Sequence, residues 1–161
     1  MMNNSRHIHE IGKINIGIVI KAARVLYCSI LIYAEILYGI VNYNILFREN
    51  PAYMYNMIPG RTIAEYITKI QNSGINTDTV ILLLIKNLFL FIPFRFVIGD
   101  LIKDEKKSFF WAAFFSAVLE LIQMIAKIGV FDVDDIILNI TGYLLGMILY
   151  KFVSQKRKEI S

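Results

Sequence analysis

Cysteine, histidine and proline are scarce in this 161-residue chain, which has one Cys, two His and three Pro. With Cys28 alone, no disulfide can form within the chain, and the redox state of its compartment is not indicated. Both histidines, His7 and His9, lie close to the N-terminus, so a Ser-His-Asp triad or a Cys/His zinc set is not predicted farther along the chain. The sequence also lacks a Walker-type glycine loop and a His-Glu-x-x-His motif.

Apolar residues are abundant. The chain is 57% hydrophobic and 13% aromatic, with a mean hydropathy of +0.55. A soluble domain of this size needs about half of its residues to be polar, so we interpret the chain as a membrane protein with a single domain. The net charge of +4 is better explained by membrane topology than by nucleic-acid binding, because no basic-aromatic face accompanies it. No small-x-small cleavage site follows the first apolar run, which is therefore expected to stay as a helix.

Hydropathy predicts an all-α integral membrane protein, a bundle of about four transmembrane helices at approximately 22–41, 80–98, 109–128 and 136–153. A basic leader (1–21) precedes this transmembrane domain (22–153), and a basic tail (154–161) follows it. Pro93 predicts a kink in the second span. The long loop at 42–79 contains a segment at 62–70 with apolar residues three and four apart, which predicts a short amphipathic helix at the membrane surface.

Lysine and arginine counts predict the orientation. Eleven of these residues lie in or beside the leader, the 99–108 loop and the tail, counting Arg24 and Lys151 at the ends of the adjoining spans, against four in the 42–79 loop and near the loop at 130. By the positive-inside rule, both termini are expected in the cytoplasm and the 42–79 loop outside.

Polar side chains within apolar spans are costly and need a specific reason. Glu35 interrupts the first span, and we expect it to face other helices with a cationic or amide partner, or to be neutral. Glu120 and Gln123 share one helix face, as do Asp135 and Asn139, because their spacings are three and four. With the predicted orientation, most of these polar groups converge on the outer leaflet. The candidate ligand-binding set is Glu120, Gln123, Asp132, Asp134, Asp135, Asn139, Asn87 and Lys86.

Several chemistries remain open for this set. Its oxygen atoms suit a hard divalent cation, with Glu120, Asp132 and Asp135 as candidate ligands, or an ammonium or guanidinium group. A carboxylate pair such as Glu120 with Asp135 could instead exchange protons with a substrate. A third interpretation is purely structural: the polar groups lock helices together, as Gly142 and Gly146 do with a small-x-x-x-small pattern. No resident cofactor is predicted apart from that cation.

Three blocks, spanning residues 48–150, resemble the VanZ-like family of small membrane proteins. The first has Arg48, then Asn-Met-Ile-Pro at 56–59 and Thr-Ile at 62–63, and is similar to "R…NLIPF-x-TI". The second, KNLFLFIPF at 86–94, is similar to "N-x-x-xFxPFG". The third and most specific has Ser116, ELIQ at 120–123 and FDVDDIILNITG at 131–142. It is similar to "S-x-x-IE-x-xQ…R-x-FDIDDxxxNTxG".

This chain departs from the family pattern at three positions. Gly129 stands where arginine usually precedes the Phe-Asp pair, Gly60 where phenylalanine is usual, and Arg95 where glycine usually follows Pro-Phe. If the usual arginine binds an anion in relatives, this chain must use Arg48, Arg61 or Lys127 instead, or have lost the feature.

The resemblance implies a role in resistance to teicoplanin-type lipoglycopeptides at the cell membrane of a Gram-positive bacterium. The expected partners are the lipid bilayer and either the lipoglycopeptide or a lipid-linked peptidoglycan precursor; no nucleic acid is expected. The first hypothesis is a membrane protein with an outer-leaflet polar site that binds or remodels such a ligand. The alternatives are an intramembrane, metal-assisted enzyme acting on a lipid-linked envelope substrate, and a transport component; the latter is less favoured because the chain has no internal repeat.

Overall fold

The computed structural model describes residues 2–47, 55–99 and 101–160. Arg48 lies outside the described residues, and of the leader only the backbone course is described up to residue 16, so the side chains of His7 and His9 are not. Two compact units are present: residues 1–34, which are the N-terminal part of the first helix, and residues 35–161.

The chain is almost entirely helical. Helix α1 (Met2–Asn42) continues into one wider, π-helical turn (Tyr43–Phe47), and the remaining helices are α2 (Arg61–Ser73), α3 (Thr77–Phe91), α4 (Phe94–Ile98), α5 (Glu105–Ile125) and α6 (Val133–Ile160). Four segments are long and apolar enough to cross a membrane: Gly17–Ile45, Thr77–Ile98, Glu105–Ile125 and Val133–Lys156. Large apolar side chains on these helices, such as Phe110, Ile125 and Ile148, are more than 60% exposed, as expected for surfaces that face lipid. The predicted all-α membrane fold with four spans is confirmed.

The second span is broken at the predicted proline. Helix α3 starts at a cap in which the Asn76 side chain accepts a hydrogen bond from the Asp78 backbone N–H at 2.9 Å. Regular helix ends at Phe91, and α4 begins after Pro93, whose carbonyl accepts a hydrogen bond from the Phe96 N–H at 2.9 Å. Proline has no N–H to donate to the preceding turn and its ring clashes with that turn, so the helix breaks just before Pro93.

The amphipathic helix in the long loop is also present, as α2. It begins after Gly60, which has a φ of +82°, and ends at Gly74, with a φ of +65°. Both values lie in the left-handed region that glycine adopts without strain. Helix α2 buries Tyr66 against Val80, Leu83 and Val130, whereas Ile63 and Ile67, which flank Tyr66 on the helix, are exposed.

Helices α3 and α6 pack at backbone contact. A Cβ atom placed on Gly142 would overlap the carbonyl oxygen of Leu88, and one placed on Gly146 would overlap that of Ile92. The small-x-x-x-small pattern therefore allows α6 to approach the second span at its broken turn.

Two short strands, not predicted from the sequence, join distant loops. Strand β1 (Tyr55–Asn56) pairs in parallel with β2 (Phe131–Asp132), so that Asn56 lies beside Asp132. This pairing holds the loop before α2 against the loop before α6.

Candidate functional site

Lys86 is the centre of a buried polar network within the spans. Its Nζ donates a hydrogen bond to Glu35 Oε2 at 3.0 Å and another to the neighbouring Asn87 Oδ1. Asp135 Oδ2 lies 3.9 Å from the same ammonium, and the Tyr38 ring lies 5.5 Å away. The mid-span carboxylate of Glu35 thus has the cationic partner that its position demands.

Glu120 and Asn139 form the other side of the network. Glu120 is completely buried, and its Oε2 accepts a hydrogen bond from the Asp132 backbone N–H at 3.1 Å. Asn139 donates from Nδ2 to Ser116 Oγ at 2.9 Å, and both of these residues are also fully buried. Glu120 interacts electrostatically with Asp135, Lys86 and Glu35, so the two sides belong to one network.

The network has more carboxyl groups than cations, and several of its polar atoms are unpaired. Three carboxyl groups, those of Glu35, Glu120 and Asp135, surround the single ammonium of Lys86. Glu35 Oε1, Glu120 Oε1 and Asn139 Oδ1 are buried and accept no hydrogen bond from any residue that the structure describes, and Asn87 Nδ2 is buried and donates none to them. Buried polar atoms are normally paired, so three unpaired oxygens and one unpaired amide nitrogen in one network leave room for a further hydrogen-bonding group.

Asp132 and Asp134, by contrast, hold the two loops together; we call the contacts of these carboxylates with residues 56–62 the loop clasp. Asp132 Oδ1 accepts hydrogen bonds from Asn56 Nδ2 at 3.1 Å and from the Asp134 N–H at 2.9 Å, and its Oδ2 accepts one from the Thr62 hydroxyl. Asp134 accepts hydrogen bonds from the backbone N–H groups of Gly60 at 2.6 Å and Thr62 at 3.0 Å. It therefore caps the first turn of α2 from another part of the chain.

Burial shifts the pKa of a carboxyl group in the loop clasp and of a nearby tyrosine. Burial, together with the negative charge of Asp135, raises the pKa of Asp132 to about 7, although the Thr62 hydroxyl opposes this shift. Burial likewise raises the pKa of Tyr66, whose hydroxyl donates a hydrogen bond to Asn42 Oδ1. Asp132 can thus change protonation near neutral pH.

Gln123 is buried at the end of α5 between two glycines. A Cβ atom on either Gly39 or Gly129 would collide with its side-chain amide. Gly129, which departs from the usual arginine of the resemblance, therefore makes room for Gln123 in this chain.

The candidate anion contacts lie elsewhere. Arg61 Nε pairs with Glu65 Oε1 at 2.7 Å on α2, and both side chains are 30% exposed. Lys127 is exposed just after α5, with a left-handed φ of +56°. The ion pair of Arg61 thus lies on the partly exposed side of α2, and Arg48 is outside the described residues.

The candidate cation ligands are not gathered around one point. Among described residues, no three Asp, Glu, His or Cys side chains are placed to hold a metal ion together. Both oxygens of Asp132 already accept hydrogen bonds in the loop clasp, and Asp135 faces the ammonium of Lys86. The acidic residues are thus divided between a structural clasp and a network that contains its own cation.

The sequence matches one protein-family model. The model of the VanZ/LLP1 family matches residues 24–154, most of the chain. The chain belongs to the VanZ/LLP1 family. No curated protein and no solved structure matches it.

Four residues of this VanZ/LLP1 chain that make buried polar contacts are not in the ligand-binding set predicted from the sequence. The sequence marks Glu35 as a costly mid-span carboxylate and places it with Lys86 only in the transport alternative, where both would line a pathway; their ion pair across 51 residues is not predicted. Ser116, Asn56 and Thr62 belong to the blocks that carry the resemblance, and that membership was the available signal for them. Their hydrogen-bond partners lie on distant segments, which only helix packing and the β1–β2 pairing bring together.

Proposed function

We propose that this VanZ/LLP1 protein is a multi-pass protein of the bacterial cell membrane, with cytoplasmic termini, that lowers susceptibility to teicoplanin-type lipoglycopeptides. It does so by binding a cell-envelope ligand in the buried polar network around Lys86, Glu120 and Asn139. With the orientation predicted from the Lys and Arg counts, the network lies toward the outer face, on the side of the loop clasp.

The observation that carries this proposal is the set of three buried oxygens, on Glu35, Glu120 and Asn139, that accept no hydrogen bond from the described residues. Leaving a buried acceptor unpaired costs about 1–3 kcal/mol, and more for a charged group, so a ligand that supplies N–H donors gains that amount on binding. Three carboxyl groups beside one ammonium also provide acceptors for a ligand that carries several N–H groups. Peptide amides and amino groups, which glycopeptides and peptidoglycan stem peptides both carry, meet these requirements.

A neighbouring apolar groove supports a ligand that also carries an acyl chain. The groove is open, has a volume of about 360 Å³ and is lined only by apolar surface, from Tyr55, Met57, Leu121, Met124 and Phe131. Leu121 and Phe131 are the chain neighbours of Glu120 and Asp132, so the groove is built on the same segments as the network and the loop clasp. Lipoglycopeptides and lipid-linked wall precursors both combine a peptide with a lipid tail.

The test is drug susceptibility of a sensitive Gram-positive strain that expresses the protein. We expect a raised inhibitory concentration for teicoplanin, little change for unacylated vancomycin, and loss of the effect with Glu120→Gln. Glu65→Gln is the matched control, because it makes the same chemical change on a partly exposed carboxylate of α2. Equal protection by the Glu120→Gln variant at wild-type abundance, or no protection from either drug by the wild type, would refute the proposal.

A further inference from the structure

A second buried polar cluster lies at the opposite end of the spans, around Arg95. Helix α4 ends the second span here and α5 begins the third, so the cluster lies beside the connection at 99–104. Arg95 is 3% exposed, although it follows the Pro-Phe pair where the resemblance places glycine. A large cation therefore occupies a position that the usual residue would leave without a side chain.

The guanidinium of Arg95 is held by neutral groups. Its Nη1 donates hydrogen bonds to Ser108 Oγ at 2.9 Å and Tyr143 Oη at 3.5 Å, and its carbon Cζ lies 4.7 Å from the centre of the Tyr150 ring. Tyr143 donates to Ser108 at 2.8 Å, and Ser108 in turn donates to the Glu105 carbonyl at 3.0 Å. This chain of hydroxyls fixes the guanidinium in one orientation.

No carboxylate neutralises that charge within the described residues. The ion pairs there join Arg61 to Glu65, Lys86 to Glu35 and Asp135, and Lys151 to Glu105. Arg95 Nε is buried and has no hydrogen-bond partner among the residues that the structure describes. Buried charges are ordinarily paired, and aromatic contact and hydroxyls compensate only partly for the loss of water.

A cavity adjoins this unpaired cation. It has a volume of about 180 Å³, and its lining includes Arg95, Lys151, Glu105 and Tyr150. That space admits several waters, and therefore a tetrahedral oxyanion. Lys151 Nζ, 2.9 Å from Glu105 Oε2 and about half exposed, provides a second positive charge at the mouth.

We propose that this cavity binds a phosphate group, with Arg95 as the buried anchor and Lys151 at the rim. Planar guanidinium groups favour the oxygens of phosphate, and basic pockets between membrane helices accept phosphate head groups. The phosphate comes either from an anionic lipid at the membrane surface or from free phosphate. The site is separate from the network around Lys86 and does not depend on the function proposed for that network.

The experiment measures binding to the purified full-length protein in neutral detergent by native mass spectrometry. The probes are phosphatidylglycerol, a diacylglycerol with the same acyl chains but no phosphate, and inorganic phosphate. We expect phosphatidylglycerol to bind at least about tenfold more tightly to the wild type than to Arg95→Gln, as for a hydrogen bond with a charged group. Binding of inorganic phosphate alone, with the same dependence on Arg95, would support the site and identify the free anion as its ligand.

Three milder variants keep the proposal testable if Arg95→Gln does not fold. Lys151→Gln should weaken binding about two- to fivefold, while Glu105→Gln should strengthen it, because it removes a negative charge from the cavity. Lys156→Gln is the matched control on α6, since Lys156 lies over the Phe152 ring and does not line the cavity. Equal binding of both lipids, no binding of either phosphate probe, or equal effects of Lys151→Gln and Lys156→Gln would overturn the proposal.

Discussion

Replacement of Lys86 by methionine tests whether the polar network is held by its one cation. Lys86 Nζ lies 3.0 Å from Glu35 Oε2 and 3.9 Å from Asp135 Oδ2, and the side chains of Lys86 and Glu35 are 4% and 1% exposed. Methionine fills much of the space of the lysine stem but leaves two carboxylates buried without a counterion. Breaking a buried ion pair in this way costs about 3–5 kcal/mol of the free energy of unfolding.

The double variant Lys86→Met with Glu35→Gln separates the ion pair from the loss of packing. It removes one of the two stranded charges, so it should be more stable than Lys86→Met alone, and the coupling energy should be about 1–3 kcal/mol. The assay is denaturant unfolding of the purified protein in detergent, with Lys103→Met as the control because Lys103 is exposed. Wild-type stability of Lys86→Met, or additive effects in the double variant, would refute the interpretation of Lys86 as the cation that holds the network.

Three further predictions concern the loop clasp, the helix contact and the end of α5. The pKa of Asp132 is raised to about 7 in the folded protein, against 3.8 ordinarily, so the folded state binds this proton more tightly than the unfolded state does. The stability that the bound proton contributes should be fully present below about pH 4 and should be lost as the pH rises through 7. Asp132→Asn should therefore flatten the dependence of unfolding free energy on pH between 4 and 8, and an unchanged slope would contradict this assignment. Gly142→Ala should cost about 1–3 kcal/mol because its Cβ would overlap Leu88, whereas Gly17→Ala, with open space around it, should cost nothing in the same unfolding measurement. Lys127→Gly should raise the unfolding free energy by a few tenths of a kcal/mol up to about 1, because glycine adopts the left-handed φ of +56° without strain. An unfolding free energy below that of the wild type would contradict the interpretation that Lys127 is strained.

The secondary structure was predictable because it depends on local properties of the chain. Long apolar runs predict the four spans, and Pro93 predicts the break in the second span. Apolar residues three and four apart around Tyr66 predict α2. The close contact of α6 was also foreseen from Gly142 and Gly146, although their partner, the second span, was not.

The division of the acidic residues was not predictable, because it depends on contacts between distant segments. Asp132, Asp134 and Asp135 are nearly consecutive and looked like one cluster of ligands. The helix start at Val133 directs the carboxylates of Asp132 and Asp134 to residues 56–62 and that of Asp135 to Lys86. No local pattern specifies the Asn56–Asp132 pairing or the separation of 51 residues between Glu35 and Lys86.

Helix α6 follows the other three spans in the chain, and this order has a consequence for biogenesis. Until the loop before α6 and the start of α6 have been synthesised, Glu120 lacks the Asp132 N–H, and α2 lacks the cap from Asp134. A carboxylate within a spanning helix costs up to about 2.5–3.5 kcal/mol during insertion by the translocon, so insertion of α5 is less favourable before these residues are present. A nascent chain that stops before residue 131 would thus leave the Glu120 carboxyl group in the membrane without its hydrogen-bond donor.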